Sequence, residues 1–395
     1  MNDQKATSLR EPLFHLTKRA SISSAVAWLI RLAAVIIGLA VSGLIAFLLI
    51  EKLRLNPKEG IAKFYRCFYE GIWTEGKPFW ENRSIWKFLK DTAMLLCIAL
   101  AVTPAFKMKF WNTGAEGQTL MGILGAITVA VWLVPQARNA SMSVPYWTLQ
   151  LLMFGAAVLA STVWALIPAI FKAVWNTNET LFTLMMNYVA MNLVNMMLFI
   201  WRPKDFTLPS MNFDKLSFQF ENLKSFVNNY LVIVLAVLAL TFILFIYLKY
   251  TKHGYEISVV GESVRTAQYS GISVKKVIIR TMIVSGILCG VAGFLFASGL
   301  NKTIKPDDVG GNGFTAILVS WLAKFNPFGM IVTSALITVL NLGSAEISSD
   351  FDVSSAFPNV LVGIILFFVI GCEFFINYKI VFRKRSNRVK GASIK

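Results

Sequence analysis

NYLVIVLAVLALTFILFIYLKY, residues 229–250, is a continuous run in which the first charged side chain is Lys249. An α-helix rises 1.5 Å per residue, so about 20 apolar residues span the hydrocarbon core of a bilayer. A helix that is apolar on every side needs an apolar environment all around it. The stretch therefore predicts a transmembrane helix.

Similar runs recur along the whole chain. Of its 395 residues, 56% are hydrophobic and 15% are charged, whereas soluble domains carry about 25% charged residues. The predicted fold is an all-α integral membrane protein with about ten transmembrane helices. The third, eighth and ninth spans are short, and the eighth is long enough for only half a bilayer, which predicts a half-helix. The predicted spans are 26–50, 86–106, 119–134, 146–170, 181–201, 229–250, 277–300, 314–323, 328–342 and 358–378.

The distribution of charge predicts the orientation. With both termini in the cytoplasm and alternating spans, the cytoplasmic segments carry a net charge of +15 and the others +2, as the positive-inside rule requires. We therefore expect a cytoplasmic N-terminal segment (1–25), a transmembrane domain (26–378) with a cytoplasmic loop (251–276), and a basic cytoplasmic tail (379–395). The tail is expected to bind anionic membrane lipid rather than nucleic acid.

Several functional classes lack support in the sequence. The longest segments between spans, 51–85 and 202–228, are too short for a catalytic domain. The sequence contains no G-x-x-x-x-G-K-[ST] phosphate loop. Its four cysteines form no C-x-x-C pair, and its two histidines are far apart. We therefore predict neither an enzyme nor a metal site.

FWNTGAEGQTLMG, residues 110–122, interrupts apolar sequence with glycines and with Asn112, Glu116 and Gln118. Ionisable groups at membrane depth are costly and mark pathways or buried pairs. The segment is either a broken helix beside a solute pathway, with a new helix starting near Gln118, or a polar cytoplasmic turn with a helix cap.

TNETLFTLMMNYVA, residues 177–190, begins a polar stripe on an apolar helix. At 100° per residue, Thr180, Thr183, Asn187 and Asn195 fall within about 120° of one another. Such amides and hydroxyls either join helices or contact a solute.

Two further motifs lie later in the chain. The loop 253–276 is long, and residues 263–270 can form a short helix ended by Gly271. It is either a connection or a docking element. GNGFTAILVSWLAKFNPFG, residues 311–329, places a glycine break before a short helix, as at 114–117. Paired broken helices in the two halves of a transporter indicate a central site.

Together these four motifs resemble the inner-membrane permeases of ABC importers for nucleosides and simple sugars, more distantly related to ribose and branched-chain amino-acid permeases. NTGAEGQ resembles their N-x-G-x-E-G-Q element, and NETLFTLMMNY their N-E-x-x-x-T-L-M-x-N-Y element. GYEISVVGESVRTAQYSGI resembles their cytoplasmic coupling segment, although Glu262-Ser263 stands where Asn-Pro is usual. GNGFTAILVSWL and NPFG resemble their late elements, and the order holds across residues 50–380.

The resemblance implies a permease subunit of the cell membrane with no cofactor of its own; ATP and magnesium would be bound by separate ATPase subunits. A second permease and an extracytoplasmic solute-binding lipoprotein are the other implied partners, the latter docking on 51–85 and 202–228. Nucleosides are the expected solutes, and sugars or other small solutes the alternative. The expected pathway residues are Asn112, Glu116, Gln118, Thr183, Asn187, Trp111 and Trp321. The expected ATPase-coupling residues are Glu256, Gly261, Glu262, Arg265, Ala267, Tyr269 and Gly271.

Other transport mechanisms fit the sequence less well. An ion-coupled secondary transporter usually carries paired carboxylates within the membrane, but Glu116 and Glu179 lie near the predicted inner face. A channel needs a selectivity ring, which a single sequence does not reveal.

Overall fold

The apolar runs form helices in the computed structural model, which describes residues 14–19, 23–50, 57–76, 78–138, 146–201, 211–212, 229–300, 303–354 and 356–382. The helices are α1 (Ser24–Leu49), α2 (Pro57–Glu70), α3 (Arg83–Lys107), α4 (Ala115–Arg138), α5 (Tyr146–Trp175), α6 (Glu179–Trp201), α7 (Asn229–Tyr250), α8 (Lys252–Glu262), α9 (Val264–Tyr269), α10 (Val274–Phe294), α11 (Asn312–Leu322), α12 (Pro327–Phe351) and α13 (Phe357–Asn377). A 3-10 turn (Phe79–Glu81) precedes α3, and a π-helical turn (Leu295–Leu300) follows α10. Four short strands are β1 (Phe14–Lys18), β2 (Met211–Asn212), β3 (Thr303–Ile304) and β4 (Tyr378–Phe382).

The predicted membrane class is confirmed. Eight helices of the described residues are long and apolar enough to cross a membrane: α1, α4, α5, α6, α7, α10, α12 and α13. Helix α3 is of similar length but begins with several charged residues, and its side chains are buried from Thr92 to Phe106. Each of the ten predicted spans matches a helix, and α11 has the predicted half-length.

Several helices extend beyond their predicted spans, and α4 and α12 do so by the most residues. Helix α4 begins four residues before the predicted span, and α12 continues nine residues beyond it. Both extensions contain polar residues, such as Glu116 and Glu346. A prediction from hydropathy ends the span where polar side chains begin. The helix itself can continue through them, because its backbone hydrogen bonds do not depend on the side chains.

The chain divides into two compact units, residues 1–67 with 344–395 and residues 68–343. In the first unit α1 packs against α13 around Ala27, Ala34 and Cys372. An ion pair joins the same two helices, since a guanidinium nitrogen of Arg31 lies 2.5 Å from a carboxylate oxygen of Glu373. The first and last transmembrane helices of the chain are therefore neighbours.

The first unit also contains a strand pair that the sequence does not predict. Strands β1 and β4 run antiparallel, with Phe14 opposite Phe382 and Lys18 opposite Tyr378. This pairing requires both segments to lie on the same side of the membrane. It agrees with the predicted common side of the two termini; that this side is the cytoplasm stays a prediction.

Close packing of α5 against α10 organises the second unit. A Cβ atom on Gly290 would lie 2.6 Å from Cα of Val158, and one on Gly286 would lie 2.7 Å from Cα of Thr162. Real Cβ atoms do not come so close to a backbone, so these positions require glycine. The small residues of α10 therefore permit close helix packing.

The outer surface of the second unit matches a lipid environment. Large apolar side chains such as Leu159 and Val163 of α5 are exposed. Trp147 and Trp175, near the two ends of α5, are also exposed. They are separated by about 42 Å at 1.5 Å per residue, close to the thickness of a bilayer with its headgroups. Tryptophans at both ends of a span are typical of the two membrane interfaces.

Candidate functional site

The broken segment lies between α3 and α4. Helix α3 ends at Lys107, and α4 begins at Ala115, one turn earlier than the predicted start near Gln118. The side chain of Asn112 is fully buried, and its Oδ1 accepts a hydrogen bond from the backbone nitrogen of Gly114 at 3.1 Å. Asn112 and Gln118 also exchange two amide hydrogen bonds, of 3.2 and 3.1 Å. These two buried amides therefore stabilise the start of α4.

Two side chains of the predicted polar stripe of α6 bond to this segment, whereas Asn195 of the stripe is exposed. Asn187 Oδ1 accepts a hydrogen bond from the backbone nitrogen of Gly117 at 2.9 Å, and its Nδ2 donates to the carbonyl oxygen of Thr113 at 2.9 Å. The backbone nitrogen of Thr113 donates to Thr183 Oγ1 at 3.2 Å. These two members of the stripe, Thr183 and Asn187, are buried. The first and second motifs therefore form one hydrogen-bonded unit.

Glu116 joins the broken segment to the second glycine break. Its Oε1 accepts a hydrogen bond from the backbone nitrogen of Gly311 at 2.9 Å, and its Oε2 accepts one from Gly313 at 2.6 Å. Gly311 has φ +77°, a left-handed conformation that favours glycine. The carboxylate thus caps the N-terminus of α11, where backbone N–H groups lack helical partners.

Two aromatic side chains lie on the surface near these contacts. The rings of Trp111 and Trp321 meet edge to face with centroids 5.6 Å apart. The ring of Phe106 also meets that of Trp111 edge to face, with centroids 5.5 Å apart. Both tryptophans remain nearly half exposed. They are the members of the predicted pathway set that present a large surface for further contacts.

The predicted coupling loop contains two helices, of which the sequence predicted one. Helix α8 starts at the cap residue Thr251, and α9 starts at Ser263, whose Oγ accepts from the backbone nitrogen of Thr266 at 3.2 Å. Gly271 ends α9 with φ +75°, as predicted. Helix α8 was missed because the loop was interpreted as irregular around one short helix.

The residues predicted to couple to an ATPase fall into two groups. The first group holds the loop in place. Gly261 packs against the Lys107 carbonyl, and Glu256 pairs with Arg280 of α10. Ala267 is buried, and Gly271 ends α9. The exposed ones are Glu262, Arg265 and Tyr269, and the Tyr269 side chain is 92% exposed. An almost fully exposed tyrosine on a capped helix is suited to contact another protein.

A family model of permease components of the branched-chain amino acid transport system matches residues 84–370, nearly three quarters of the chain. The chain belongs to this permease family. Its relatives include a guanosine ABC transporter permease of Bacillus subtilis, 29% identical over 369 residues, which are 92% of this chain and 98% of that one. A glucose ABC transporter permease of Haloferax volcanii is 27% identical over 74% of this chain and 78% of its own. A nucleoside ABC transporter permease of Lactococcus lactis is 26% identical over 73% and 79%, respectively.

Membership confirms the predicted class and localisation, a multi-pass ABC permease of the cell membrane. It also places the chain among transport subunits rather than enzymes. The permease brings five of its seven predicted pathway residues into one buried network: Asn112, Glu116, Gln118, Thr183 and Asn187. The other two form the exposed aromatic pair. Contact of any of these seven residues with a solute stays a prediction.

The permease also contains a polar cavity that no sequence motif predicts. It has a volume of about 280 Å³, and Asp91, Asp308, Asn312 and Asn341 contribute to its lining. These residues come from three separate parts of the chain. The sequence feature that could have indicated the cavity is the group of charged residues at the start of α3, which interrupts an otherwise apolar span.

The docking segments predicted for a binding lipoprotein are described only in part. Residues 57–76 and 78–85 are described, whereas residues 51–56, 77, 202–210 and 213–228 lie outside the described part. Most of the basic tail, residues 383–395, also lies outside it.

Proposed function

We propose that this permease carries nucleosides across the cell membrane as a subunit of an ABC importer. The observation that supports this solute class is the relation to the guanosine permease, which extends over 92% of this chain and 98% of its relative. The nucleoside permease of Lactococcus lactis supports the same class.

The energy comes from separate ATPase subunits, which bind ATP and magnesium; this chain uses no cofactor of its own. Helix α9 is the proposed contact with them. Arg265 and Tyr269 are exposed on it, while the buried Ala267 and the Glu256–Arg280 pair tie the loop to the transmembrane helices. Movement of the ATPases would reach α10 through this connection.

The pathway lies beside the broken segment. Trp111 and Trp321 offer exposed aromatic surface on which a base can stack. The buried amides and hydroxyls behind them, including Asn187 and Gln118, hold this surface in place. A second permease completes the pathway, and an extracytoplasmic lipoprotein delivers the solute, docking on α2 and the neighbouring segments.

A sugar is the second candidate solute, because the glucose permease of Haloferax volcanii covers 74% of this chain at a similar identity, 27%. Both candidates carry several hydroxyl groups, so they require similar hydrogen-bonding partners.

Uptake by the complete importer in proteoliposomes separates the two candidates. We expect ATP-dependent uptake of labelled guanosine and uridine, which excess unlabelled nucleoside inhibits and excess glucose does not. Uptake of glucose without uptake of nucleosides would refute the proposed solute class. The purified permease alone should not hydrolyse ATP, and robust turnover would refute the proposed division of labour.

A further inference from the structure

The polar cavity of the second unit lies where the ends of four structural elements meet. Lys90 and Asp91 of α3 form one side, and Phe296, in the π-helical turn after α10, forms another. Asp308 lies in the turn before α11, Asn312 is the first residue of α11, and Asn341 comes from the later part of α12. None of these residues belongs to the buried network between α4 and α6.

The elements place this cavity in the extracytoplasmic half of the membrane. In the orientation predicted by the charges, α3 begins on the outside, and α10 and α12 both run outwards. Lys90 lies seven residues after the start of α3, about 10 Å along the helix axis. A solute arriving from the outside therefore reaches this cavity before it reaches the cytoplasmic half of the protein.

The charges of the lining favour a neutral solute with many hydroxyl groups. Lys90 Nζ lies 3.1 Å from Asp91 Oδ1, so this cation is matched by a carboxylate. Asp308 adds a second carboxylate, which also accepts a hydrogen bond from the backbone nitrogen of Lys305 at 2.7 Å. One cation and two carboxylates disfavour phosphorylated solutes. Carboxylate oxygens accept hydrogen bonds from hydroxyl groups, and amides both donate and accept.

Size and apolar surface agree with this chemistry. The volume of about 280 Å³ is close to the lower end of the range of roughly 300–1,000 Å³ for small-molecule sites. Phe296 is a largely buried part of the wall. An apolar wall with a few polar groups is the usual composition of a site for a small organic solute.

We propose that this cavity is the site at which the permease accepts its solute from the outside, and that Asp91 and Asp308 bind the hydroxyl groups of the solute's sugar ring. The inference deepens the proposed function and rests on it for the class of solute. Ribonucleosides and sugars share this hydroxylated ring, whereas nucleotides add a phosphate that the two carboxylates repel.

The cavity is joined to the broken segment through Asn312. This residue stands between Gly311 and Gly313, whose backbone nitrogens both donate to Glu116. The carboxylate on α4 therefore holds one side of the cavity in position. A movement of α4 would displace Asn312 and change the shape of the site, which is what alternating access requires.

Uptake selectivity tests the role of the carboxylates. The complete importer, with its binding protein, is assayed with uridine and with 2′,3′-dideoxyuridine. We expect Asp308→Asn to raise the half-saturating concentration of uridine about tenfold, the effect of losing one charge-assisted hydrogen bond, and to change that of the dideoxy compound little. Asp307→Asn is the matched control, because Asp307 is exposed and does not line the cavity.

The binding protein is the same for every variant, so its own selectivity cancels in the comparison. Equal effects of Asp308→Asn on both compounds, or equal effects of Asp308→Asn and Asp307→Asn, would overturn the role of this carboxylate.

Thiol labelling tests occupancy of the cavity independently of transport rate. All four native cysteines are buried, so Asn341→Cys introduces the one thiol expected to be accessible. In intact cells that express the importer, a membrane-impermeant methanethiosulfonate should modify it from the outside. Saturating uridine should slow the modification at least about fivefold, and uridine monophosphate should not.

Failure of this inference differs from failure of the proposed function. If wild-type importer takes up glucose rather than nucleosides, the proposed function fails, and protection of the introduced thiol by glucose still supports the cavity. If the importer takes up uridine but neither uridine nor glucose protects the thiol, the cavity proposal is overturned and the proposed function stands.

Discussion

The carboxylate of Glu116 lies 2.6 Å from the backbone nitrogen of Gly313, a residue 197 positions further along the chain. One side chain thus joins the two glycine breaks of the sequence. It also explains why α11 can start inside the protein, since the free N–H groups of its first turn meet a negative charge.

Glu116→Gln should destabilise the permease, because an amide replaces one of the two acceptor oxygens with a donor that faces a backbone N–H group. Loss of a charge-assisted hydrogen bond costs about 1.5–3 kcal/mol. Thermal unfolding of the detergent-solubilised importer should show a lower midpoint for this variant. Glu59→Gln, an exposed residue in the first turn of α2, is the control and should change the midpoint little. Equal midpoints for wild type and Glu116→Gln would contradict the capping role.

Asn187→Ala should reduce both uptake and thermal stability. The substitution leaves the buried nitrogen of Gly117 and the carbonyl of Thr113 without their partner, at a cost of about 1–3 kcal/mol for each group. Asn192→Ala on the same helix removes an amide that bonds only within its own helix, to Tyr188. Uptake per assembled complex and the unfolding midpoint are measured for both variants. A normal midpoint for Asn187→Ala would show that the link to the broken segment is not stabilising.

Arg265→Glu combined with Tyr269→Ala should separate the permease from its ATPase. Tyr269 is 92% exposed, so its removal should leave the fold of the permease intact while removing an apolar contact from the proposed interface. Co-purification of the ATPase with the permease is the measurement. Tyr188→Ala, an exposed tyrosine within α6, is the control.

The opposite result is expected if the loop is only a connection and the basic tail binds the ATPase. Retention of the ATPase by the double variant, together with its loss on deletion of residues 383–395, would assign the contact to the basic tail instead of α9.

The Glu256–Arg280 pair should give the coupling loop a pH dependence. Arg280 donates a hydrogen bond to the carboxylate and thereby holds the pKa of Glu256 below its ordinary value; the charges of Arg280, Lys252 and His253 add to this, and partial burial opposes it. A lowered pKa means that the pair is fully formed above about pH 4.3, the ordinary glutamate value. It is lost as the pH falls through the lowered pKa.

Glu256→Gln should therefore be less stable than wild type from neutral pH down to mildly acidic pH, and the difference should shrink at lower pH. Unfolding midpoints of both proteins across this range check the expectation. If the difference between the two unfolding midpoints grew as the pH fell, the result would contradict a lowered pKa of Glu256.

Hydropathy and glycine placement were sufficient to predict the membrane class, a helix at each of the ten predicted spans and the half-length of α11, because each depends on local sequence. Cap chemistry likewise predicted the short helix between Ser263 and Gly271. The partners of Glu116 and Arg31 depend on residues hundreds of positions away, and no local pattern identifies them. The cavity was missed for the same reason, since Asp91, Asp308 and Asn341 meet only after four elements have packed.

The ion pair between Arg31 and Glu373 has a consequence for biosynthesis. Its two members are separated by 342 positions, so at 5–20 residues per second the ribosome needs roughly 17–70 s to reach the second after the first. During that interval the first helix carries a cation without its native counter-ion. Arg31 lies seven residues after the start of α1, about 10 Å along the axis, which is within reach of the interface for a long, flexible side chain. The nascent helix can therefore insert in the bilayer while the Arg31 guanidinium reaches the aqueous interface. When the last helix inserts, Glu373 pairs with Arg31, and the guanidinium becomes buried between α1 and α13.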